Sequence, residues 1–161
     1  MDDVVFARVL HVLAVAVWIG GVSMVTTIVL PAVRRGQLGA DRFGAFKAIE
    51  HRFAWQVRVA LAIVGLTGLY MIARLGLWDR FRSPQFWWMH AMVFVWLLFA
   101  LILFAGEPFV LDRNLKKWAM GAPDTVLKWL QRAHWILLVF GLLTIAGAVA
   151  GSHGWSAWMQ P

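Results

Sequence analysis

The sequence contains no cysteine and few charged residues. The absence of cysteine among its 161 residues excludes disulfide bonds and thiolate metal sites. Charged residues make up only 14% of the chain, whereas hydrophobic residues make up 61%. A soluble domain of this size needs more charge to cover its surface. The composition therefore indicates an integral membrane protein with no room for a separate soluble domain.

Acidic residues are scarcer than basic ones. The chain has 8 acidic and 15 basic residues, which gives a formal net charge of +7. An excess of this kind is compatible with nucleic-acid binding, but here the basic residues are concentrated between apolar stretches. Membrane proteins use that distribution to set their orientation. We therefore expect membrane lipids, and no nucleic acid, as the surroundings of this chain.

Long apolar runs dominate the sequence. Four of them lie at about residues 5–31, 53–73, 86–106 and 126–151. Each reaches the roughly 20 residues that a helix needs to cross a bilayer. The runs are unbroken, whereas the strands of a membrane barrel alternate between apolar and polar positions. The sequence predicts an all-α fold, an integral membrane four-helix bundle that forms a single transmembrane domain. The first run follows the acidic pair Asp2-Asp3 and is too long for a secretory signal, so we interpret it as a true span.

Loop charges predict the orientation of this bundle. Basic residues are most frequent in the first and third loops and at the starts of the spans that follow them, whereas the second loop has three and the segment after the fourth span has none. Between the first and second spans they are Arg34, Arg35, Arg42, Lys47 and Arg52. Between the third and fourth spans, and at the start of the fourth, they are Arg113, Lys116, Lys117, Lys128 and Arg132. Cytoplasmic loops carry the excess of Lys and Arg. We therefore expect a multi-pass protein of a bacterial inner membrane with both termini in the periplasm.

A weak internal repeat relates the two halves of the chain. His11 and Trp18 of the first span match His90 and Trp96 of the third at an offset of about 80 residues. The second and fourth spans share an Arg-x-x-Trp start. This pattern predicts two repeated helix pairs, related by an axis along the membrane normal.

Four histidines lie on the predicted spans. With the orientation given above, His11 and His90 lie toward the periplasm, and His51 and His134 lie toward the cytoplasm. Ionisable residues inside a membrane are costly and mark functional sites. Two histidines from facing helices are natural axial ligands of a b-type haem. The sequence therefore predicts two haem b groups, and at minimum one, with His11 and His90 as one iron-ligand pair and His51 and His134 as the other.

Arginines near these histidines are candidates to bind the haem propionates. Arg8 precedes His11 by three residues, Arg58 follows His51 by seven, and Arg132 lies near His134. For Arg58, a side chain that reaches the membrane surface and one with a buried anionic partner remain alternatives. Copper is an alternative ligand of the histidines, although the seven methionines form no close cluster.

Three segments carry a resemblance to known membrane families. The run Leu10-His-Val-Leu-Ala-Val-Ala-Val-Trp-Ile-Gly-Gly21 resembles the first span of the copper-resistance protein D (CopD) family and of the HemJ family of protoporphyrinogen oxidases. The segment Phe46-Lys-Ala-Ile-Glu-His-Arg-Phe53, followed by Gly65-Leu-Thr-Gly68, resembles their second span, and Trp88-Met-His90 resembles the third span of the oxidases. The resemblance implies a haem-binding helical bundle and matches His11 and His90 to positions that those families keep. It departs from the oxidases at Ala91-Met-Val, where they have a lysine soon after the histidine.

These features together favour one function and leave others open. The leading hypothesis is a di-haem b-type membrane cytochrome that transfers electrons across the membrane, with a quinone or a periplasmic redox protein as partner. The alternatives are a HemJ-like haem-dependent protoporphyrinogen oxidase and a CopD-like copper transport or resistance protein. A small subunit of a larger respiratory complex is a further alternative, and a homo-oligomer is compatible with each of them.

Overall fold

Four long helices make up most of the protein. The computed structural model describes residues 2–111, 117, 118 and 120–155, and this part of the chain contains no strand. The helices are α1 (Asp2–Arg34), α2 (Arg42–Arg74), α3 (Pro84–Gly106) and α4 (Pro123–Ser152), and each is long and apolar enough to cross a membrane. The predicted all-α four-helix membrane fold is thus confirmed. Within the predicted third loop, residues 112–116 and 119 lie outside the described residues, and with them the predicted loop cations Arg113 and Lys116.

The helices extend beyond the apolar runs that predicted them. The largest difference is in α2, which begins at Arg42 rather than near residue 53. Asp41 caps this helix, because its side chain accepts a hydrogen bond of 2.9 Å from the backbone N–H of Gly44. Hydropathy detects only the apolar part of a helix, so it misses this polar first section.

Short connections make α1 antiparallel to α2. Residues 35–41 join the two helices at one end, and a carboxylate contact joins them at the other. There Asp3 accepts hydrogen bonds from Tyr70 at 2.7 Å and from Arg74 at 2.9 Å. We call the end with Asp3 and Arg74 the terminal end of the bundle. The opposite end, with residues 35–41 and the start of α4, is the basic end.

Two apolar clusters hold the helices together. The central cluster takes residues from all four helices, including Trp18, Leu61, Phe99 and Leu138. The second cluster lies at the basic end and includes Leu30, Val33, Phe46, Leu127 and Leu130. The outward faces carry large exposed apolar side chains, among them Phe6, Leu66, Phe94 and Leu143. Such a surface suits contact with lipid tails and would be an aggregation hazard in water.

Both odd-numbered helices widen into a π-helical segment. The first covers Val25–Val29 in α1, and the second covers Leu101–Leu111, which begins within α3 and continues past Gly106. A shift of 78 residues, the separation of Trp18 and Trp96, places the first segment within the second. Each segment is associated with a proline, Pro31 or Pro108, which has no N–H to donate to the preceding turn. The two widened turns are structural support for the predicted repeat.

Side chains donate to backbone carbonyls within or just before both segments. In α1 the hydroxyls of Thr26 and Thr27 donate to the carbonyls four residues earlier, at 2.6 and 2.8 Å. In α3 the guanidinium of Arg58 reaches across from α2 and donates to the carbonyl of Leu103, with Nε at 3.1 Å and Nη2 at 2.9 Å. The arginine thus binds a backbone group that the α-helical pattern would otherwise satisfy.

Candidate functional site

His11 lies half-buried between α1 and α2. Its Nδ1 is 3.0 Å from the hydroxyl oxygen of Thr67, and that hydroxyl donates its own hydrogen to the carbonyl of Ile63 at 2.6 Å. The hydroxyl oxygen therefore accepts from His11, so Nδ1 carries the proton. The ring also lies against Gly68, where no side chain covers it. The consequence is that Nε2 keeps the lone pair through which imidazole binds a metal.

His134 has the same arrangement on α4. Its Nδ1 is 2.9 Å from the carbonyl oxygen of Leu130, which can only accept, so Nδ1 again carries the proton. The edge of the ring packs against Phe46 of α2, with the ring centroids 6.5 Å apart and the planes 85° apart. Metal-bound histidines usually donate their second ring N–H to a carbonyl or a similar acceptor. Both His11 and His134 already have that donor contact.

His90 makes a different contact. Its side chain is exposed, and its Nε2 lies 3.0 Å from the carbonyl oxygen of Phe81 in the turn before α3. The Phe81 ring packs edge-on against it at 5.4 Å. In this position Nε2 carries the proton, and the ring joins α3 to the preceding turn.

His11 and His90 lie at a similar depth, but their side chains do not face each other. The rings of Trp18 and Phe99 are in contact, with centroids 4.8 Å apart, and so fix the level of α1 against α3. His11 precedes Trp18 by seven residues, and His90 precedes Phe99 by nine. The two histidines therefore lie about 10 and about 13 Å from that contact, toward the terminal end. Nine residues of α-helix turn through about 180°, so His90 faces away from the side on which Phe99 meets α1. The level agrees with the sequence-based pairing, whereas the described side-chain directions do not bring the two rings together.

His51 is exposed on a flank of α2. It follows Phe46 by five residues, which is about 140° around the helix and about 7 Å along it. Since Phe46 is the residue that meets His134, the two inner histidines lie on different sides of α2. The pairing of His51 with His134 stays a prediction. It would require a rearrangement of the helices or a second copy of the chain.

The three candidate arginines have different surroundings. Arg8 and Arg132 are exposed, and each lies within one turn of a candidate histidine. Arg58 is partly buried and bound to the Leu103 carbonyl. The two exposed arginines are therefore the better placed to meet an anionic group, while Arg58 has a structural contact that the sequence did not predict.

Trp18 holds a buried polar atom with no partner. Its side chain is only 4% exposed, and its indole Nε1 has no hydrogen-bond acceptor within the described part of the chain. Its counterpart in the repeat, Trp96, donates to the Leu61 carbonyl at 2.8 Å. Trp18 follows His11 by seven residues, so both lie on the same face of α1. Sequence reasoning assigned no role to Thr67 or to the Trp18 indole. Thr67 does lie in the run Gly65-Leu-Thr-Gly68, which was singled out in the sequence.

Metal ligands are few around these histidines. Within the described residues, no three His, Asp or Glu side chains lie together in a way that could hold a metal ion. A haem iron needs only one or two ligands from the protein. Comparison of the chain with protein-family models, curated proteins and solved structures finds no match.

Proposed function

We propose that the chain is a b-type membrane cytochrome that carries electrons across the bilayer, with His11 and His134 as haem ligands. The observation that carries the proposal is the orientation of these two rings. Each lies on a membrane-spanning helix, and each has a protonated Nδ1 fixed by a hydrogen bond, which leaves Nε2 as the ligand atom. Two spans from different halves of the bundle therefore present the same donor in the same tautomer.

Bound haem would supply a one-electron redox centre, and the protein would place it and adjust its potential. The Thr67 hydroxyl and the Leu130 carbonyl hold the two imidazoles in orientation. Arg8 and Arg132 provide positive charge at the two rims. The apolar outward faces of α1 and α4 keep water away from both histidines.

The second ligands predicted from the sequence are His90 and His51. Both are exposed here, and His90 donates to Phe81. Bis-histidine ligation therefore requires His90 to leave that carbonyl, or a second copy of the chain to supply an exposed histidine. If His11 or His134 were the only protein ligand of a bound haem, a high-spin spectrum would be expected.

We place this protein in a bacterial inner membrane with its terminal end toward the periplasm. Support comes from the basic residues of the first loop, which lie at the opposite end of the bundle. Because the chain has no cysteine, single cysteines can test the orientation. A membrane-impermeant maleimide should label Gln85→Cys in intact cells and Gln37→Cys only after lysis. The reverse pattern would contradict the orientation and leave the haem proposal standing.

Single histidine variants test the haem proposal. We expect His11→Ala and His134→Ala each to remove part of the reducible b-type absorption, because each removes one proposed ligand. His153→Ala is the matched control, since His153 has the same Nδ1-to-carbonyl contact, at 2.8 Å, but lies exposed after α4. It should leave the spectrum unchanged. A spectrum unaffected by the first two substitutions would contradict the assignment, and purified protein with copper and no haem would favour the copper alternative.

A further inference from the structure

A cavity opens at the basic end of the bundle. It has a volume of about 520 Å³, within the range of about 300–1,000 Å³ that is usual for small-ligand pockets. Its lining comes from the end of α1, the first connection, the start of α2 and the first three turns of α4. The residues are Pro31, Arg34, Arg35, Arg42, Asp124, Lys128 and Gln131.

The charge of this cavity is strongly positive. Its lining holds four cations and one carboxylate, a formal sum of +3. Asp124 accepts from Arg42 at 2.7 Å and so offsets one of the cations. Arg34 donates to the side-chain oxygen of Gln131. Arg35 and Lys128 form no ion pair with any residue that the structure describes.

The framework around these cations is well fixed. Arg42 donates to the carbonyl of Arg34 at 3.3 Å as well as to Asp124, so one side chain connects the start of α2 with α1 and α4. Beneath the cavity lies the apolar cluster of the basic end, in which Leu30, Val33 and Leu127 are fully buried. These contacts hold the lining of the cavity in place and neutralise only one of its four positive charges.

We propose that this cavity binds a phosphate group, with Arg35 and Lys128 as the cations that contact it. Arginine presents a planar set of donors that matches phosphate oxygens, and lysine adds a compact charge. The exposed Trp129 next to Lys128 is of the residue type that lies at the headgroup level of a bilayer. A basic pocket between spanning helices at that level suits the phosphate of an anionic lipid. Free phosphate shares the same chemistry and is the other source.

The positive-inside distribution of charge explains why basic residues are present at this end. It does not explain why cations from three helices line one cavity, or why three of its four cations lack a carboxylate partner in the described structure. The site makes no use of His11 or His134, so it does not depend on the haem proposal.

Native mass spectrometry of the detergent-purified full chain tests the proposal. Phosphatidylglycerol is compared with diacylglycerol of the same acyl chains, so that only the phosphate-bearing headgroup differs. Inorganic phosphate is compared with chloride at equal ionic strength by thermal unfolding. The test variant is Arg35→Gln with Lys128→Gln. The control, Arg80→Gln with Arg82→Gln, removes two positive charges from the turn at the opposite end, and Arg35→Lys with Lys128→Arg keeps the charge of the site.

We expect the purified protein to retain phosphatidylglycerol and not diacylglycerol. Retention should fall by about tenfold or more in the test variant, because each lost cation removes a charge-assisted hydrogen bond. The control and the charge-preserving variant should bind nearly as the parent does. Stabilisation by inorganic phosphate alone, lost in the test variant, would support the site and assign it to free phosphate. Binding that is equal in test and control variants, or absent for both probes, would overturn the proposal.

Discussion

Gly65 gives the sharpest test of how the helices pack. The indole of Trp96, from α3, lies directly over this position in α2, and its Nε1 donates to the Leu61 carbonyl at 2.8 Å. A Cβ atom added at Gly65 would lie 2.5 Å from Cζ2 of the ring. Gly65→Ala therefore forces the ring to move by about 1 Å, because carbon atoms pack at roughly 3.5–4.0 Å.

The energetic cost follows from that displacement. Overpacking of an interior costs about 1–3 kcal/mol, and loss of the indole hydrogen bond costs about 1 kcal/mol more. Replacement of glycine by alanine within a helix offsets about 1 kcal/mol of this. The expected net loss of stability is about 1–3 kcal/mol.

Gly20→Ala is the matched control. Gly20 lies within α1, and a Cβ added there meets nothing within 4 Å. We expect that substitution to be neutral or to stabilise the fold by up to about 1 kcal/mol. Unfolding by sodium dodecyl sulfate in mixed micelles, followed by far-ultraviolet circular dichroism, measures both variants. Equal midpoints for Gly65→Ala and Gly20→Ala would refute the close approach of α2 and α3.

Three further predictions concern polar contacts inside and at the ends of the bundle. Arg58→Met should destabilise the fold by about 2–3 kcal/mol in the same assay, because the Leu103 carbonyl loses a charged donor. The control, Arg52→Met at an exposed position, should change the stability by less than about 0.5 kcal/mol. Equal effects of the two substitutions would contradict the role given to Arg58. Asp3→Asn should lower the unfolding midpoint only slightly, and the effect should disappear in high salt, since Asp3 and Arg74 are both exposed. A large, salt-independent loss would show that this contact is more than a surface ion pair. Thr67→Val keeps the shape of the side chain but removes the hydrogen-bond acceptor of His11 Nδ1. Haem titration should therefore show about 10–100-fold weaker binding, with little change in helix content. Unchanged haem binding would show that Thr67 does not support the haem site.

The course of the chain through the membrane was predictable from the sequence because apolar length is a direct physical requirement of a span. All four apolar runs lie within the helices of the structure. The polar start of α2 was missed because the cap at Asp41, and not hydropathy, decides where that helix begins. The π-helical segments were also missed, although Pro31 and Pro108, which lie within one residue of matching positions of the repeat, were a usable signal.

The depth of the candidate histidines along their helices was predictable from the sequence, whereas the directions of their side chains were much less so. Counting residues places His11 and His90 near one level, but the side of α3 on which His90 lies depends on how that helix is rotated against α1. Contact between Trp18 and Phe99 sets that rotation and turns His90 outward. Similarly, the packing of Phe46 against His134 places His51 on another side of α2. Among the histidines on the described spans, His11 and His134 are the partly buried ones, and in each a hydrogen bond through Nδ1 leaves Nε2 free as a ligand atom. The sequence alone did not distinguish these two from His51 and His90.

The central claim is that this bundle holds haem through histidines on its spans. The most direct test is the haem-to-protein ratio of the chain purified from haem-replete cells, from the pyridine haemochrome spectrum and the protein mass. The account predicts a b-type spectrum with one haem for each of His11 and His134, and therefore a ratio near two. A preparation that is folded by circular dichroism, yet has no haem and takes up none on titration, would contradict it.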